Sequence, residues 1–190
     1  MQFPKIWLLR HGQTEWNAEG RLQGQLDSPL TEKGKAHAQS QAALLPPILA
    51  RSPEVLVSPL GRAQQTAEIA LAGHPYRTDD RLAEIETGDW QGLTRTDIAA
   101  RWPELFREHP QDLFLYGAAP GGEGLSAFVT RTKSVLGELT RPTVIIAHGL
   151  LGQAMRGIVQ GLDTTGMASL SNEQGCIYVL EDGREDLLRP

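Results

Sequence analysis

Short apolar runs rich in β-branched residues alternate with helical patterns along this chain, and no other feature restricts the possible fold as strongly. The clearest run, TVIIA at Thr143–Ala147, predicts a strand buried on both faces. Similar runs at Lys5–Leu9, Glu54–Val57 and Cys176–Leu180 predict three more strands. Strands that alternate with helices pair in parallel, so we expect an α/β fold with three α/β/α layers and a mostly parallel central sheet.

Capping residues and prolines set the predicted limits of the helices between these strands. Thr31 is a suitable N-cap for a helix that runs to Leu45 and ends at the following Pro46. Ser58 predicts a second N-cap, with Pro59 at the first helical position. We expect the helices that these signals indicate to cover the two faces of the sheet.

The alternation breaks between about residues 87 and 124, where aromatic side chains occur among prolines and glycines. The aromatic residues are Trp90, Trp102, Phe106, Phe114 and Tyr116. We expect one domain over residues 1–190, with a helical lid inserted at about 87–124. A lid of this composition favours a substrate with an apolar or ring-bearing part, and the alternative is a packing layer without a ligand role.

Composition and charge exclude several classes of partner. The chain has 190 residues with 18 Lys and Arg against 23 Asp and Glu, and its net charge of −5 disfavours nucleic acid binding. Cys176 is the single cysteine, which excludes an intramolecular disulfide and a cysteine metal cluster. The first residues do not resemble a secretory signal, and no apolar run approaches the roughly 20 residues of a membrane helix. We therefore expect a cytoplasmic protein, a monomer or a homodimer, without nucleic acid or membrane partners.

Arginine and histidine side chains follow three of the predicted strands at their carboxyl ends. Arg10 and His11 follow the first strand, Arg62 lies in the first turn of the helix after the second, and His148 follows TVIIA. In open parallel sheets the ligand crevice lies beyond these strand ends. Arginine forks and helix N-termini both favour phosphate oxygens there, so the sequence predicts a site for a phosphoryl group. No carboxylate cluster suggests a divalent ion, and no dinucleotide fingerprint is present, so we expect neither metal nor cofactor.

Six segments, one after another along the chain, match the pattern of a single family. They are LLRHGQTEWN at Leu8–Asn17, Gly20–Gly34, Ser58–Glu68, Arg81–Thr94, Pro120–Phe128 and VIIAHGLL at Val144–Leu151. Together they resemble the signature of the histidine phosphatase superfamily, which is also called the phosphoglycerate mutase-like family. The segments occur in the order of that family and span most of the chain, so the combination is far more specific than Arg-His-Gly alone.

The resemblance implies a role for each residue at the strand ends. His11 is expected to take the phosphoryl group, because a neutral imidazole nitrogen is a good nucleophile near neutral pH and needs no separate base. Arg10 and Arg62 are expected to clamp the equatorial phosphate oxygens, and His148 to donate a further hydrogen bond to them. Asn17 matches the position that completes the phosphate pocket through its side-chain amide.

Three further positions match the family pattern. Glu84 matches the proton donor, which protonates the leaving alkoxide and then takes a proton from the attacking water. Such a carboxyl group must hold a proton near neutral pH, and partial burial favours that state. Gln23 matches a position that can face the substrate, and Gly149 allows the backbone to approach the phosphate oxygens.

The family includes hydrolases and mutases, and the segment that begins at Glu84 favours a hydrolase. Cofactor-dependent phosphoglycerate mutases carry Glu-Arg-His-Tyr-Gly there, whereas this chain has Glu-Ile-Glu-Thr-Gly. Residues 87–124 also lack the paired arginines of the longer mutase insertion. We therefore expect a phosphoric monoester hydrolase of the histidine acid phosphatase type, which acts on a small phosphorylated metabolite through a phosphohistidine intermediate.

Three other functions remain open. The first is a cofactor-dependent phosphoglycerate mutase, and the second is a phosphoprotein or phosphohistidine phosphatase, although such relatives are generally shorter and lack an extensive lid. The third is a non-catalytic phosphate-binding module, which is disfavoured because such proteins typically lose the nucleophile or an arginine. Among hydrolases, the segments around Glu84 and Gly122 look like those of broad-specificity, sugar-phosphoglycerate and α-ribazole phosphate phosphatases.

Overall fold

The computed structural model describes residues 3–190, and these contain one six-stranded sheet. The strands are β1 (Ile6–Arg10), β2 (Glu54–Val57), β3 (Arg77–Thr78), β4 (Thr143–Ala147), β5 (Ile177–Glu181) and β6 (Arg184–Leu188). Their order across the sheet is β3-β2-β4-β1-β5-β6. The pairs β1–β4, β2–β4 and β2–β3 are parallel, whereas β5 runs antiparallel to both β1 and β6. The expected α/β fold with a mostly parallel sheet is confirmed.

Helices connect the strands and cover the sheet. They are α1 (Glu15–Glu19), α2 (Glu32–Leu44), α3 (Pro46–Leu49), α4 (Gly61–Leu71), α5 (Arg95–Arg101), α6 (Pro103–Glu108), α7 (Asp112–Gly117), α8 (Gly124–Glu138), α9 (Gly149–Gln160) and α10 (Thr164–Ala168). Two single-turn 3₁₀ helices, Asp80–Leu82 and Gly88–Trp90, lie between β3 and α5. Within residues 3–190, no helix has the length and apolar character needed to cross a membrane.

Alternate side chains of each central strand enter two separate cores. On one face, Ile145 of β4 belongs to a cluster that includes Met155 of α9 and side chains of α8 and α10. On the other face, Ile146 joins a cluster that includes Ala67 of α4 and side chains of α3. Because successive strand residues point to opposite faces, one apolar run builds both cores, and the sheet becomes the middle of three layers.

Most predicted element limits lie within one residue of those in the structure, and one helix start was wrong. Thr31 is the N-cap of α2, since its hydroxyl accepts the N–H of Gly34 at 3.0 Å. Strand β1 ends one residue later than predicted, so Arg10 is its last residue. Helix α4 begins at Gly61 rather than Pro59, and the hydroxyl of Ser58 contacts a histidine instead of capping the helix.

Residues 87–124 fold into helices α5, α6 and α7, which have a small core of their own. That core contains Trp90, which is 0% exposed, and Trp102 lies against it with ring centroids 5.6 Å apart. Phe106 also packs there. Trp90, Trp102 and Phe106 therefore form a packing layer, which is the alternative that the sequence left open for this segment, and none of the three lines the cavity described next. Tyr116 differs from the other aromatic residues of this segment, since it lines the cavity described next.

Candidate active site

A cavity of about 280 Å³ lies at the carboxyl ends of β1 and β4. Seven of the eight predicted site residues line it, namely Arg10, His11, Asn17, Gln23, Arg62, Glu84 and Gly149. The eighth, His148, lies beside His11 with the two ring centroids 5.3 Å apart. The helical segment 87–124 contributes Arg95, Asp112 and Tyr116 to the same cavity. The fold thus brings together all the residues that the sequence selected.

The imidazole of His11 is buried and held in one tautomer. Its Nδ1 lies 2.7 Å from the carbonyl oxygen of Gly12, and because a carbonyl only accepts, Nδ1 carries the proton. Nε2 therefore carries the lone pair of the neutral ring. Burial and the positive charges of Arg62 and Arg10 hold the pKa of His11 well below its usual range. The ring is thus neutral near pH 7, which is the protonation state that a nucleophile needs.

His148 is also buried and neutral, and Ser58 fixes its orientation. The hydroxyl of Ser58 lies 2.6 Å from Nε2 of His148 and accepts the N–H of Leu60 at 3.3 Å. Since the Leu60 N–H is the donor in that second bond, the Ser58 proton is free to go to Nε2, which leaves a proton on Nδ1. Nδ1 is buried and has no partner among residues 3–190. Burial, followed by the charge of Arg62, lowers the pKa of His148 well below its usual range.

Arg62 is 1% exposed and its guanidinium group is clamped from one side. Nη1 donates to the carbonyl of Leu26 at 2.7 Å and to Oδ1 of Asp27 at 2.8 Å, and Nη2 donates to the carbonyl of Gly24 at 2.8 Å. Asp27 also accepts the N–H of Gly61 at 2.6 Å, so it binds the first turn of α4. Nε of Arg62 is buried without a partner among the described residues.

Arg10 is held in a similar way on the other side of the cavity. Its Nη1 donates to the carbonyl of Asn172 at 2.5 Å, and its buried Nε has no partner within residues 3–190. Gly149 permits this placement, because a Cβ at that position would lie 3.3 Å from both Cζ and Nε of Arg10. The glycine therefore makes room for the guanidinium group at the start of α9, where a helix N-terminus already favours anions.

Glu84 lies against the first turn of α9. Its Oε1 accepts the N–H groups of Ile85 and Leu151, and its Oε2 accepts the N–H of Leu150, each at 3.0 Å. A carboxylate offers about four lone-pair positions, so these three bonds leave one position on Oε2.

Two amide side chains complete the part of the cavity around α1. Oδ1 of Asn17 accepts the N–H of Thr14 at 3.3 Å in a capping box, which leaves the NH₂ group as the donor available to the cavity. Gln23 is 7% exposed, and its Oε1 accepts a hydrogen bond from the hydroxyl of Ser28 at 3.2 Å. Its NH₂ group is therefore also the donor available to the cavity. Both amide groups are thus oriented as donors, as an anionic ligand requires.

The helical part of the cavity is polar. Arg95 pairs with Asp112, and burial together with the Asp112 charge raises the pKa of the Tyr116 hydroxyl to about 12. Tyr116 therefore keeps its proton and can donate it in a hydrogen bond. Thr87 is 1% exposed and lines the cavity, and its hydroxyl has no partner among the described residues. These groups can bind hydroxyl or carbonyl oxygens of a ligand.

Sequence reasoning missed the contacts that orient the predicted residues. Asp27, which fixes Arg62, lies inside a segment that matched the family pattern, yet no local signal indicates its partner 35 residues away. The sequence around Ser58 predicts a helix cap, whereas its hydroxyl contacts His148, which is 90 residues away. Thr87 lines the cavity, and no motif around it in the sequence indicates this position.

Comparison with known proteins assigns the chain to a family. The model for the histidine phosphatase superfamily (branch 1) matches residues 6–187. This protein therefore belongs to the histidine phosphatase superfamily, as the sequence segments indicated.

The similar proteins include several phosphatases. A glucosyl-3-phosphoglycerate phosphatase from Mycolicibacterium vanbaalenii is 36% identical and aligns over 85% of this chain and 76% of its own. Phosphoserine phosphatase 1 from Hydrogenobacter thermophilus is 33% identical over 97% and 90% of the two chains. A mycobacterial glucosyl-3-phosphoglycerate phosphatase solved with VO3 superposes with a TM-score of 0.82 at 32% identity, covering 98% of each chain. Other relatives carry phosphoglycerate mutase names.

Proposed function

We propose that this protein is a metal-independent phosphomonoester hydrolase that acts through a phosphohistidine intermediate on His11. One observation carries the proposal: the neutral, buried imidazole of His11 presents its Nε2 lone pair in the same site as three N–H donors that have no partner within residues 3–190. The donors are Nε of Arg10, Nε of Arg62 and Nδ1 of His148. Arg10 and Arg62 line the cavity and His148 lies beside His11, so a phosphoryl group bound there is the acceptor we propose for these donors. Preorganised donors of this kind supply most of the catalysis in phosphoryl transfer.

In the first step, Nε2 of His11 attacks phosphorus while the bond from phosphorus to the leaving oxygen breaks. Arg10, Arg62 and His148 neutralise the charge on the transferred oxygens. Oε2 of Glu84 gives its proton to the leaving oxygen, so the alcohol departs neutral. In the second step, Glu84 takes a proton from water, the water oxygen attacks phosphorus, and the bond to His11 breaks. The sum is hydrolysis of the monoester to an alcohol and inorganic phosphate.

The substrate we propose is a small phosphorylated metabolite with a polar leaving group. A cavity of about 280 Å³ accommodates a metabolite. Its helical part offers the hydroxyl groups of Thr87 and Tyr116 and the Arg95–Asp112 pair. On this proposal the segment 87–124 acts as the lid that contacts the leaving group. The names of the similar phosphatases, which include a sugar-phosphoglycerate and a phosphoamino acid substrate, agree with a leaving group of this kind.

The first experiment measures phosphate release from nitrophenyl phosphate, 3-phosphoglycerate, sugar phosphates and a nucleoside monophosphate in the presence of a chelator. We expect release by the wild type and none by His11→Ala, whereas the control His74→Ala should match the wild type. His74 lies near the C-terminal end of α4, away from the cavity lining. A chelator that abolishes release would contradict the metal-independent mechanism.

The same reactions are also tested for conversion of 3-phosphoglycerate to its 2-isomer. Rapid conversion without phosphate release would identify a mutase and overturn the proposal. If both assays are silent while vanadate binds tightly, the site binds phosphate without hydrolysing these esters, and the general hydrolase proposal is wrong.

A second experiment tests the acid role of Glu84. Glu84→Gln keeps the size of the side chain but cannot donate a carboxylic proton. We expect a loss of about 10²- to 10⁴-fold for an alkyl phosphate such as glycerol phosphate, because alkoxide departure needs a proton. Nitrophenyl phosphate, whose leaving group is stable as an anion, should lose far less. Equal losses on both substrates would remove Glu84 from this role.

A further inference from the structure

The backbone that carries Glu84 is held by a guanidinium group that is not part of the cavity lining. Arg131 of α8 donates from Nη1 to the carbonyls of Arg81 at 2.8 Å and Ala83 at 2.7 Å, and from Nη2 to the carbonyl of Glu84 at 3.0 Å. These carbonyls lie in or just after the first of the two 3₁₀ helices, and the chain from Ala83 to the second has no regular structure. One side chain therefore binds three successive points along the backbone that leads to Glu84.

Glu123 holds both that guanidinium group and the next part of the same segment. Its carboxylate accepts Nε of Arg131 at 2.8 Å and Nη2 at 2.6 Å, which is a bidentate pair. Its Oε1 also accepts the N–H of Glu86 at 2.9 Å, and its own N–H donates to the carbonyl of Glu86 at 3.1 Å. The two side chains are only 19% and 18% exposed, so the pair is less screened by solvent than a surface salt bridge.

We propose that Glu123 and Arg131 are positioning residues for proton transfer by Glu84. The inference rests on the proposed function, since it takes Glu84 as the acid. The carboxylate of Glu84 meets the N–H groups of Leu150 and Leu151 only while its backbone keeps its present path. A displacement of about 1 Å at a catalytic group can cost about 10²-fold in rate, so the pair controls the acid step without touching the substrate.

The test uses two substrates that differ in their need for a proton. In Arg131→Lys, a single ammonium group cannot reach three carbonyls and both carboxylate oxygens at once. We expect kcat/KM for glycerol phosphate to fall by about 10- to 100-fold and kcat/KM for nitrophenyl phosphate to fall by less than about threefold. The substrate ratio, kcat/KM for glycerol phosphate divided by kcat/KM for nitrophenyl phosphate, should therefore fall. Glu123→Gln, which keeps the shape of the side chain but not the charge, should lower the substrate ratio as well. Vanadate affinity should stay within about twofold, because neither residue lines the cavity.

Glu138→Gln is the matched control. Glu138 lies on the same helix as Arg131 and pairs with the side chain of Arg81, at the start of the same segment. Glu138→Gln removes the charge from an ion pair of similar geometry, but it leaves the contacts of Arg131 with the backbone carbonyls around Glu84 in place. We expect both substrates to keep their wild-type rates within about twofold. A control that lowers the substrate ratio as much as Arg131→Lys would show a general loosening of the segment and would overturn the proposal.

A double-mutant cycle separates this inference from the proposed function. If Arg131 acts through Glu84, the variant Glu84→Gln/Arg131→Lys should show the same substrate ratio as Glu84→Gln alone. Additive losses would mean that Arg131 acts elsewhere, and they would overturn the inference. If Glu84→Gln lowers the ratio while Arg131→Lys and Glu123→Gln do not, the positioning role fails and the proposed function stands. If Glu84→Gln itself leaves the ratio unchanged, the acid role and the inference fail together.

Discussion

Replacing Ser58 with alanine removes the hydroxyl that contacts Nε2 of His148 at 2.6 Å in the interior. Ser58 is 0% exposed, so bulk water cannot reach Nε2 of His148 to replace the lost hydrogen bond directly. In the intact site the hydroxyl also accepts the N–H of Leu60, and its own proton is therefore directed at Nε2. On the proposed function, Nδ1, the second nitrogen of the neutral ring, then carries the proton that is donated to a phosphate oxygen.

The structure sets two magnitudes for Ser58→Ala. The free energy of unfolding should fall by about 1–3 kcal/mol, because a buried ring nitrogen loses its hydrogen-bond partner. The ring proton is also released to move to Nε2, and Nδ1 would then present a lone pair to an anionic oxygen. Loss of one preorganised donor costs about 10²- to 10³-fold in rate, so kcat/KM for nitrophenyl phosphate should fall by up to that factor.

The assay combines phosphate release with urea unfolding. Thr132→Val is the control, because Thr132 is also 0% exposed and its hydroxyl donates to a carbonyl within α8, away from the cavity. We expect the control to lose stability but keep its kcat/KM. If Ser58→Ala loses stability like the control and less than about threefold in kcat/KM, then Ser58 does not set the tautomer of His148 and the reasoning is refuted.

Three other predictions follow from the charges and contacts of the site. His11 and His148 stay neutral in the folded protein because their pKa values are lowered, whereas unfolded histidines take up protons near pH 6.5. The free energy of unfolding is therefore highest above that pH, and it falls as the pH drops toward the lowered folded-state pKa values. Urea unfolding at about pH 7 and about pH 5.5 should show that the free energy of unfolding falls by up to about 1.4 kcal/mol per pH unit for each ring. Replacing both histidines with asparagine should make the free energy of unfolding less dependent on pH. Asp27→Asn removes the charge that pairs with buried Arg62. Because Asp27 is 37% exposed, we expect the free energy of unfolding to fall by only about 1 kcal/mol, and a titration should show clearly weaker vanadate binding. Gly149→Ala places a Cβ 3.3 Å from the guanidinium group of Arg10, so vanadate affinity should fall severalfold. The melting temperature should hold or rise, because alanine favours the helix. Unchanged vanadate affinity would mean that the position of this guanidinium group is not critical.

Much of the fold was predictable because its signals are local. The β-branched run at Thr143–Ala147 became β4 with the predicted limits, and Glu54–Val57 became β2. Side-chain alternation and helix capping depend on neighbouring residues, so a short window of sequence contains them. The helix start after Ser58 was wrong because a distant histidine competes for the hydroxyl that would otherwise cap a helix.

The sequence by itself determined which residues stand at the carboxyl ends of the strands, and hence that His11, Arg62 and His148 would meet at one edge of the sheet. The tertiary structure alone decided how each group is oriented and protonated. Tautomers, unpartnered donors and lowered pKa values depend on burial and on partners far away in the chain, as the contact from Glu84 to Leu150 across 66 residues illustrates. Those partners are chosen by the packing of whole elements, which no local pattern of residues encodes.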